Sequence, residues 1–555
     1  MTRSLVRLLT GAMLMIAAPA FAQAGPATAA PAAPATPPKL VVVISVDQYS
    51  ADLFAEYRTR YTGGLARLQQ GAVFPKGFQS HAATETCPGH STILTGNRPG
   101  HTGIVANEWV DQSVTREDKT VYCGEDPSVP GTTSSNYVAS LMRLKVPTLG
   151  TYMKDANPAA KVISVAGKDR AAMMMGGKKL DQIWWWQGNT GFGGYKGSPT
   201  TPLVDKVNAG IKLMLDQERP AMALPDYCRA VDRPVYVNDK LSVGANHFAR
   251  KGGDIRAFRA SPEYDAAVLA LSASLVEDQK LGQGAQTDLL IMGLSATDYV
   301  GHTYGTRGAE MCIQMANLDE NLGAFFDRLD KAGIDYMVAL TADHGGLDLP
   351  ERQRQQAASD AQRVDPALSP KAVNTALQGK TGLKGELILG TGPFGDIYVN
   401  KGLTAAQKAL VLKEAKVLYL ANPQVQTVFT RQELIAAPAP AGPPESWSLL
   451  TIAKASFDPE RSGDLVVLLK PRVTPIADPG TGYVATHGSA WDYDRRVPIL
   501  FWRKSMTHME QPMGVETVDI LPTLAAQIGL ALPAIGIDGK CLDLDPTAAS
   551  SCPAK

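Results

Sequence analysis

Four stretches of the chain are almost continuously apolar, rich in β-branched residues and of strand length. They are residues 40–46, 161–166, 288–294 and 336–342. A run without polar alternation is typical of a strand that is buried on both faces, as the strands of a parallel sheet are. The pattern therefore predicts a parallel sheet at the centre of the fold.

Helical spacing separates the last two of these runs. Between residues 309 and 331, apolar side chains recur at intervals of four and three, which gives a helix one apolar face. These side chains are Met311, Met315, Leu318, Leu322, Phe325 and Leu329. Gly333 follows where such a helix would end. We therefore predict an α/β fold with a central, mostly parallel sheet sandwiched by helices.

The sheet pattern resumes near the C-terminus. Residues 496–502 predict another strand, and Asp519 opens a closing helix. Pro498 favours an edge position or a strand start, because proline cannot donate a hydrogen bond to a neighbouring strand.

Two regions fit the sheet pattern poorly. Residues 180–285 contain many glycines and the run Trp184, Trp185 and Trp186, and residues 348–480 include a Pro-rich stretch. We predict that both are insertions that form a cap over a site at the carboxyl edge of the sheet. The tryptophans are then interpreted as the core of this cap rather than as a platform for stacking bases.

The N-terminal residues have the composition of a targeting segment. Arg3 and Arg7 precede an apolar run, and residues 20–22 form a small-x-small cleavage motif. We interpret residues 1–22 as a signal peptide and the Ala- and Pro-rich residues 23–39 as a linker. The folded domain then spans residues 40–555 and is expected in the periplasm or outside the cell.

The charge balance excludes some partners. The chain of 555 residues carries 54 basic and 54 acidic residues. Binding to nucleic acid or to an anionic membrane surface would need a basic excess or cluster. No later stretch is long and apolar enough to span a membrane. We therefore expect no nucleic-acid partner and no membrane span, and a monomer is the expected oligomeric state.

The chain contains six cysteines, which an exported protein can pair. The sequence does not choose among the many possible pairings. Cys541 and Cys552 close a short loop and are the first expected pair. If Cys87 stands alone in the wall of a site, five cysteines remain, so we expect at least one more to be free.

Charged or metal-ligating residues follow each of the four predicted strands. They are Asp47, then Lys168, Asp169 and Arg170, then Asp298, and finally Asp343 and His344. The carboxyl ends of parallel strands meet at one edge of a sheet, where ligands bind in open α/β folds. A single aspartate could merely cap a turn, but four such strand ends together predict a shared site.

Three of the eight histidines belong to this pattern. His302 is four residues after Asp298, His344 follows Asp343, and His487 lies in a loop before the last predicted strand. Aspartate and histidine together suit zinc. Together with Asp47, Asp298 and Asp343, the three histidines make six ligands. Six ligands are enough for two metal ions that each keep an open coordination position for a substrate. The alternative is that these histidines cap loops.

Residues 81–96 have the pattern of a loop that turns into a helix. Pro88 suits a first helical turn, because its missing N–H would have no partner there. Thr86 and Cys87 are two adjacent candidate nucleophiles at this helix start, which would attract phosphate or sulfate. Taken alone, the segment is more simply a capped helix with Thr86 as its N-cap.

These residues, in this order, resemble the alkaline phosphatase superfamily over nearly all of the mature chain. Residues 86–96 are similar to its sulfatase signature, but sulfatases need a cysteine at the position of Thr86 and an arginine at that of His90. A threonine nucleophile is typical of nucleotide pyrophosphatase/phosphodiesterases and of a group of secreted bacterial alkaline phosphatases. The resemblance therefore implies Thr86 as the nucleophile, whereas His81, His90 and His101 are interpreted as structural.

The segment around Lys168 and Arg170 resembles those secreted phosphatases. In that group an asparagine, matched here by Asn107, joins the lysine and the arginine in holding phosphate. A phosphate monoester has one more charged oxygen than a diester. The cationic side chains of Lys168 and Arg170 would therefore stabilise a bound monoester more than a bound diester. The alternative is a surface ion pair of Lys168 and Arg170 with Asp169.

The resemblance also implies the ligand sets and the mechanism. One zinc is held by Asp298, His302 and His487, and the other by Asp47, Asp343 and His344, with Thr86 at its open position. Thr86 attacks phosphorus in line, and the first metal stabilises the leaving oxygen and then activates the water that hydrolyses the phosphothreonine.

The sequence thus predicts an exported, zinc-dependent alkaline phosphatase that hydrolyses phosphate monoesters with two Zn²⁺ ions per chain. A phosphodiesterase or nucleotide pyrophosphatase on the same fold is the alternative. A non-catalytic metal-binding or adhesive secreted protein is a third hypothesis, which the complete ligand set with Thr86 disfavours.

Overall fold

The computed structural model describes residues 36–547 and 550–553. The predicted signal peptide, residues 1–22, and most of the predicted linker, residues 23–39, lie outside this part of the chain. Among the described helices, none combines the length and apolar character needed to cross a bilayer.

The strands are numbered along the described chain over all sheets. They are β1 Leu40–Val46, β2 Ala72–Phe78, β3 Glu108–Val110, β4 Thr120–Tyr122, β5 Val162–Ala166, β6 Gln182–Gln187, β7 Gly191–Gly193, β8 Val235–Asn238, β9 Leu241–Val243, β10 Asp288–Leu294, β11 Tyr336–Thr341, β12 Gln362–Arg363, β13 Ile388–Gly390, β14 Gly395–Val399, β15 Val425–Thr430, β16 Leu465–Leu469, β17 Val473–Thr474, β18 Arg496–Arg503, β19 Met509–Glu510 and β20 Val515–Glu516.

The α-helices are numbered in the same way. They are α1 Ala51–Tyr57, α2 Gly64–Leu68, α3 Thr86–Ile93, α4 Pro99–Thr102, α5 Leu149–Ala156, α6 Asp169–Gly176, α7 Pro202–Leu215, α8 Ile255–Arg259, α9 Pro262–Asp278, α10 Ala296–Tyr304, α11 Ala309–Lys331, α12 Pro350–Gln355, α13 Pro370–Thr381, α14 Ala405–Ala421, α15 Arg431–Ala436, α16 Leu449–Ser456, α17 Asp492–Arg495 and α18 Ile520–Gln527.

The central sheet has ten strands in the order β19-β2-β18-β11-β1-β10-β5-β6-β7, and β20 also pairs with β2. Its middle, from β11 to β6, is parallel. Strand β18 is antiparallel to both of its neighbours, and β7 is antiparallel to β6. The four predicted buried strands are β1, β5, β10 and β11, which are neighbours and fully buried. The mostly parallel central sheet is therefore confirmed.

Helices cover both faces of this sheet. Along β1, Leu40, Val42 and Ile44 belong to one buried cluster, which also contains apolar residues of α1, α2, α9 and α11. Val41 and Val43 point into a second cluster, which contains residues of α3, α5, α6 and α18. Because successive side chains of a strand alternate in direction, an uninterrupted apolar run supplies both cores.

Helix α11 matches the predicted bounds and buries all six of the predicted apolar side chains. Gly333 follows it with φ of 68°, the left-handed conformation that ends helices. On the same helix, the buried carboxylate of Asp319 accepts hydrogen bonds from the backbone N–H groups of Thr62 and Gly63 at 2.7 Å and of Leu65 at 2.7 Å. It thereby fastens the start of α2 to α11.

We expect Asp319→Asn to lower the free energy of unfolding by about 3 kcal/mol, because the amide presents an NH₂ group to buried N–H donors. Denaturant unfolding measures the change. Glu320→Gln is the matched control, since this neighbour on α11 is exposed and should change stability by less than about 0.5 kcal/mol. Equal effects of the two substitutions would contradict the assignment.

Pro498 does not lie at an edge or at a strand start. Strand β18 runs between β2 and β11 in the sheet. Its register against β2 shifts between Val497 and Ile499, and its pairing with β11 begins only at Leu500. The proline therefore sits at an irregularity where no ladder hydrogen bond is needed, which the sequence pattern did not show.

Part of the region 180–285, strands β6 and β7, extends the central sheet, whereas β8 and β9 form a separate two-stranded sheet. Strands β6 and β7 continue the central sheet beyond β5. Trp184 and Trp186 are buried in one core cluster and Trp185 in the other. The tryptophans are therefore sheet residues with alternating directions.

The region 348–480 contains a second, smaller sheet with the order β13-β14-β16-β15. Together with α13 and α14 it encloses its own apolar cluster, with Val411, Leu465 and Val467 at the centre. Residues of this region line the cavity described below.

Three disulfides pair all six cysteines. They join Cys87 to Cys123, Cys228 to Cys312, and Cys541 to Cys552. The expected pair at the C-terminus is confirmed. The expected free cysteines are absent, because Cys87 is bonded to the residue that follows β4. This bond fastens the start of α3.

Candidate active site

The four strand ends with ligand-type residues lie side by side at one edge of the central sheet. Asp47 follows β1 directly, and Asp343 comes two residues after β11. Asp298 is in the first turn of α10, which follows β10, and Lys168 lies two residues after β5. Since the strand order is β11-β1-β10-β5, the fold brings these residues together.

The first ligand set consists of Asp298, His302 and His487. The Nε2 atoms of the two histidines lie 3.3 and 3.4 Å from Oδ1 of Asp298. Helix α10 places His302 one turn after Asp298 and on the same face. Each Nδ1 lies 2.8 Å from a backbone carbonyl oxygen, of Ala485 for His302 and of Thr84 for His487. If each Nδ1 carries the proton, Nε2 is left as the acceptor that binds a metal.

The second ligand set consists of Asp47, Asp343 and His344. The Nε2 atom of His344 lies 3.2 Å from Oδ2 of Asp343, and all three side chains are fully buried. Oδ1 of Asp47, Oδ2 of Asp343 and Nε2 of His344 lack a hydrogen-bond partner, and Oδ2 of Asp47 faces the ammonium of Lys168 at 3.0 Å. Buried acceptors without donors are costly, and a bound cation satisfies them. The residues present therefore fit a metal ion.

His90 lies against the second set, although the sequence was interpreted as giving it only a structural role. Its Nε2 is 3.2 Å from Oδ1 of Asp47, and its Nδ1 is 3.3 Å from Oδ2 of Asp343. These three side chains meet the distance criteria for a metal site. The sequence signal was its position four residues after Thr86, which puts both on one face of α3.

Gln48 joins the two sets, and no sequence pattern marks it. Its backbone N–H donates to Oδ1 of Asp343, and its side-chain amide donates to Oδ1 of Asp298, each at 3.0 Å. Its φ of 64° is left-handed, which is uncommon for a residue with a side chain. Gln48 therefore fixes one carboxylate of each set.

The local charges favour the ligand forms of Asp298 and His487, whereas His344 must give up a proton to bind a metal. Burial would raise the pKa of Asp298, but the charges of His302 and Lys168 and the hydrogen bonds from His302 and His487 together hold this pKa well below its usual range. Burial and the charge of His344 lower the pKa of His487 to about 4. Burial opposes a charge on His344, yet Asp343 raises its pKa to about 9. Asp298 is thus ionised and His487 neutral at pH 7, as metal binding requires.

Lys168 bridges the two sets. Its ammonium lies 2.5 Å from Oδ2 of Asp298 and 3.0 Å from Oδ2 of Asp47, and the residue is only 3% exposed. Burial would lower the pKa of Lys168, but the two carboxylates outweigh it and raise it. The carboxylate of Asp169 accepts hydrogen bonds from two tyrosine hydroxyls instead. Lys168 therefore does not form the alternative surface ion pair with Asp169.

A cavity of about 480 Å³ opens above these residues. Its floor contains Thr86, Asn107, Arg170, His302 and His487. The opposite wall comes from the region 348–480 and is largely apolar, with Phe394, Tyr398, Phe457, Val466 and Leu468. The Nε atom of Arg170 is buried without a hydrogen-bond partner, so its guanidinium can still bind an anion.

Thr86 is the first residue of α3, and Glu85 rather than Thr86 is the N-cap. Gly89 explains how closely this helix approaches the second ligand set. A Cβ atom at this position would lie 1.9 Å from the carbonyl oxygen of Asp343, so only glycine lets α3 lie against the end of β11. The helix start is thereby held next to Asp343.

Asn107 is oriented by its neighbours. Its Oδ1 accepts a hydrogen bond of 2.7 Å from the N–H of Cys87, and its own N–H donates to Oε2 of Glu85 at 2.6 Å. Because Oδ1 is occupied, the NH₂ group is the part of this side chain that can donate to a ligand in the cavity.

The chain has close relatives of known class. The model of the family described as type I phosphodiesterase / nucleotide pyrophosphatase matches residues 41–490. The chain is 61% identical over 521 residues to alkaline phosphatase PhoK of Sphingomonas sp, which covers 93% of each chain. It is 51% identical over 522 residues to alkaline phosphatase PhoD of Zymomonas mobilis, which covers 93% of this chain and 90% of that one.

The fold has a solved counterpart in alkaline phosphatase PafA, a protein of Elizabethkingia meningoseptica. The match has a TM-score of 0.79 and 24% identity, and it covers 92% of this chain and 99% of the other. A PafA variant with a threonine, an asparagine, a lysine and an arginine replaced has also been solved. The predicted alkaline phosphatase-like fold is therefore confirmed. The chain belongs to the type I phosphodiesterase / nucleotide pyrophosphatase family of the alkaline phosphatase superfamily, and within it to the group of PhoK and PhoD.

Proposed function

We propose that this chain, an alkaline phosphatase and hence a phosphoric monoester hydrolase, uses two zinc ions and a covalent phosphothreonine at Thr86. The observation that carries the proposal is the cavity floor. It brings the hydroxyl of Thr86 together with His302 and His487 of the first ligand set and with the guanidinium of Arg170. The buried second set lies against the same helix, α3, through His90.

The donor atoms support zinc in both sets. Asp298, His302 and His487 would hold one ion, and Asp47, Asp343 and His344 the other, with His90 as a further candidate ligand of the second. When bound, two such ions lower the pKa of a hydroxyl or water and stabilise charge on the attacking and leaving oxygens.

Thr86 performs the covalent step. The hydroxyl gives up its proton to solvent and Oγ1 attacks phosphorus in line, so that an Oγ–phosphorus bond forms and the bond from phosphorus to the ester oxygen breaks. The alcohol leaves with a proton from solvent, and water then hydrolyses the phosphothreonine. The start of α3 favours the negative charge of the bound phosphate. Cys87 cannot compete as a nucleophile, because its sulfur is in a disulfide.

Three side chains support recognition of a monoester. Arg170 and the NH₂ group of Asn107 face the cavity, and Lys168 contacts a carboxylate of each ligand set, so it lies within reach of a group bound between them. The residue types replaced in the PafA variant occur here in the same order, as Thr86, Asn107, Lys168 and Arg170.

Diester hydrolysis is the second candidate function, because the apolar wall of the cavity can accommodate a second organic substituent. The position of Arg170 favours the monoester. A comparison of kcat/KM for an aryl phosphate and a bis-aryl phosphate decides between the two. We expect a strong preference for the monoester, and a strong preference for the diester would reverse the choice.

We also propose that the protein is exported to the periplasm or beyond. The three disulfides support this, because disulfides form and persist mainly in oxidising compartments. Cell fractionation with N-terminal sequencing of the mature protein tests this, and we expect cleavage after residue 22 and no activity in the cytoplasm.

Metal removal should abolish the activity. We expect dialysis against a chelator to lower kcat by more than about 100-fold and zinc to restore it, because both ligand sets are built from aspartate and histidine. Elemental analysis should find two zinc ions per chain in the wild type and one fewer in His302→Asn. His101→Asn is the control, since His101 is exposed and pairs with Asp538. Restoration by another ion alone would change the metal assignment.

A further inference from the structure

A second cavity lies beside the first, and the proposed reaction does not use it. Its volume is about 490 Å³, and it shares Trp109, Tyr398 and Ser462 with the active-site cavity. We propose that this second cavity binds a phosphate group.

Arg143 is the strongest evidence for an anion. The residue is only 7% exposed, and its guanidinium donates no hydrogen bond to a described residue. The closest carboxylate oxygen, of Asp111, is 3.7 Å from Nη1, which is beyond hydrogen-bond distance. That oxygen is Oδ2, whereas Oδ1 of Asp111 accepts hydrogen bonds from Ser113. A buried cation without hydrogen bonds is costly unless a ligand satisfies it.

A second arginine adds to the positive charge. The guanidinium carbons of Arg143 and Arg461 lie 5.1 and 5.6 Å from the ring centre of Trp109. Burial lowers the pKa of both arginines, as expected for cations that lack sufficient counter-charge. An anion bound beside the ring would reduce the repulsion between them.

Lysines extend this charge along the cavity. Lys401 and Lys408 line it, and their ammonium groups form no ion pair with a described residue. Two of the carboxylates present are already paired, Asp464 with Arg431 at 3.5 Å and Glu460 with a lysine outside the cavity at 2.7 Å. The cavity therefore has an excess of cations with unused donors, which suits the charged oxygens of a phosphate.

The bound phosphate group could come from either of two sources. One is the second phosphate group of a substrate that carries two, since Trp109, Tyr398 and Ser462 line both cavities. The other is free inorganic phosphate, the product of the reaction. The first source rests on the proposed function, whereas binding of inorganic phosphate does not.

Two variants test the site in the zinc-loaded enzyme. The double variant Lys401→Gln, Lys408→Gln removes charge from partly or fully exposed positions and should fold normally. Arg143→Met removes the buried guanidinium and keeps an apolar stem on Trp109. Lys413→Gln is the matched control, because it is exposed on the same helix as Lys408 but does not line the cavity.

Calorimetric titration with inorganic phosphate and steady-state kinetics provide the readouts. If the cavity binds free inorganic phosphate, we expect the titration to give two phosphates bound per chain in the wild type and in Lys413→Gln, and one in the double variant. If the cavity binds the second phosphate group of a substrate, we expect KM for a benzene bis-phosphate to be about tenfold higher in the double variant than in the wild type. KM for phenyl phosphate should not change. Either result supports the site.

The proposal is overturned if the wild type binds a single phosphate and the variants leave KM for the bis-phosphate unchanged. Failure of the proposed function is recognised separately, because the wild type would then not hydrolyse phenyl phosphate at all.

Discussion

Thr86→Ala should lower kcat for an aryl phosphate by at least about 1000-fold, because the covalent step is lost and only direct attack by water remains. The cavity and both ligand sets stay intact, so zinc content and the circular dichroism spectrum should not change. Steady-state kinetics with the zinc-loaded variant measure the effect.

Thr86→Ser is the matched control. It keeps a hydroxyl at the first position of α3, so we expect its kcat to stay within about tenfold of the wild type. If Thr86→Ala were as active as Thr86→Ser, Thr86 would not be the nucleophile. A loss of zinc in the alanine variant would show that the side chain mainly supports the metal site.

Arg170→Met should lower kcat/KM for a phosphate monoester about 100-fold and leave kcat/KM for a diester within about threefold. The guanidinium can donate two charge-assisted hydrogen bonds to the extra charged oxygen of a monoester, which a diester lacks. The diester is the internal control, because both substrates require the same nucleophile and metals.

A substitution of Lys168 would test monoester selectivity less clearly. Its ammonium contacts Asp47 and Asp298, so its removal would disturb both ligand sets as well as phosphate binding. For Arg170, equal losses with both substrates would contradict a role in monoester selectivity.

The central sheet could be predicted because its signal is local. Uninterrupted apolar runs have one simple explanation, burial on both faces, and four of them became neighbouring parallel strands. The residues after these strands could then be placed at one edge without knowledge of the strand order. The spacing of apolar residues predicted helix α11 and its buried face equally clearly.

The features that were missed depend on contacts between distant segments. His90 reaches the second ligand set only because Gly89 lets α3 lie against Asp343. Pro498 is tolerated between two strands because the register shifts there. Neither contact leaves a local pattern in the sequence.

The two predicted cap regions also could not be described correctly from local sequence patterns. The composition of residues 180–285 and 348–480 differs from that of the sheet, but composition does not tell whether a segment extends a sheet or builds its own. Strand β6 joins the central sheet, whereas β14 and β16 pair with each other. The second cavity likewise combines Arg143 with Lys408, which no sequence pattern connects.

The most direct test of the account is a crystal structure of the zinc-loaded enzyme with vanadate, measured with anomalous diffraction at the zinc edge. We predict two zinc peaks, one among Asp298, His302 and His487 and one among Asp47, Asp343 and His344, with vanadium bonded to Oγ1 of Thr86. A single zinc, or vanadium bonded to any other side chain, would contradict a two-metal phosphatase with a threonine nucleophile.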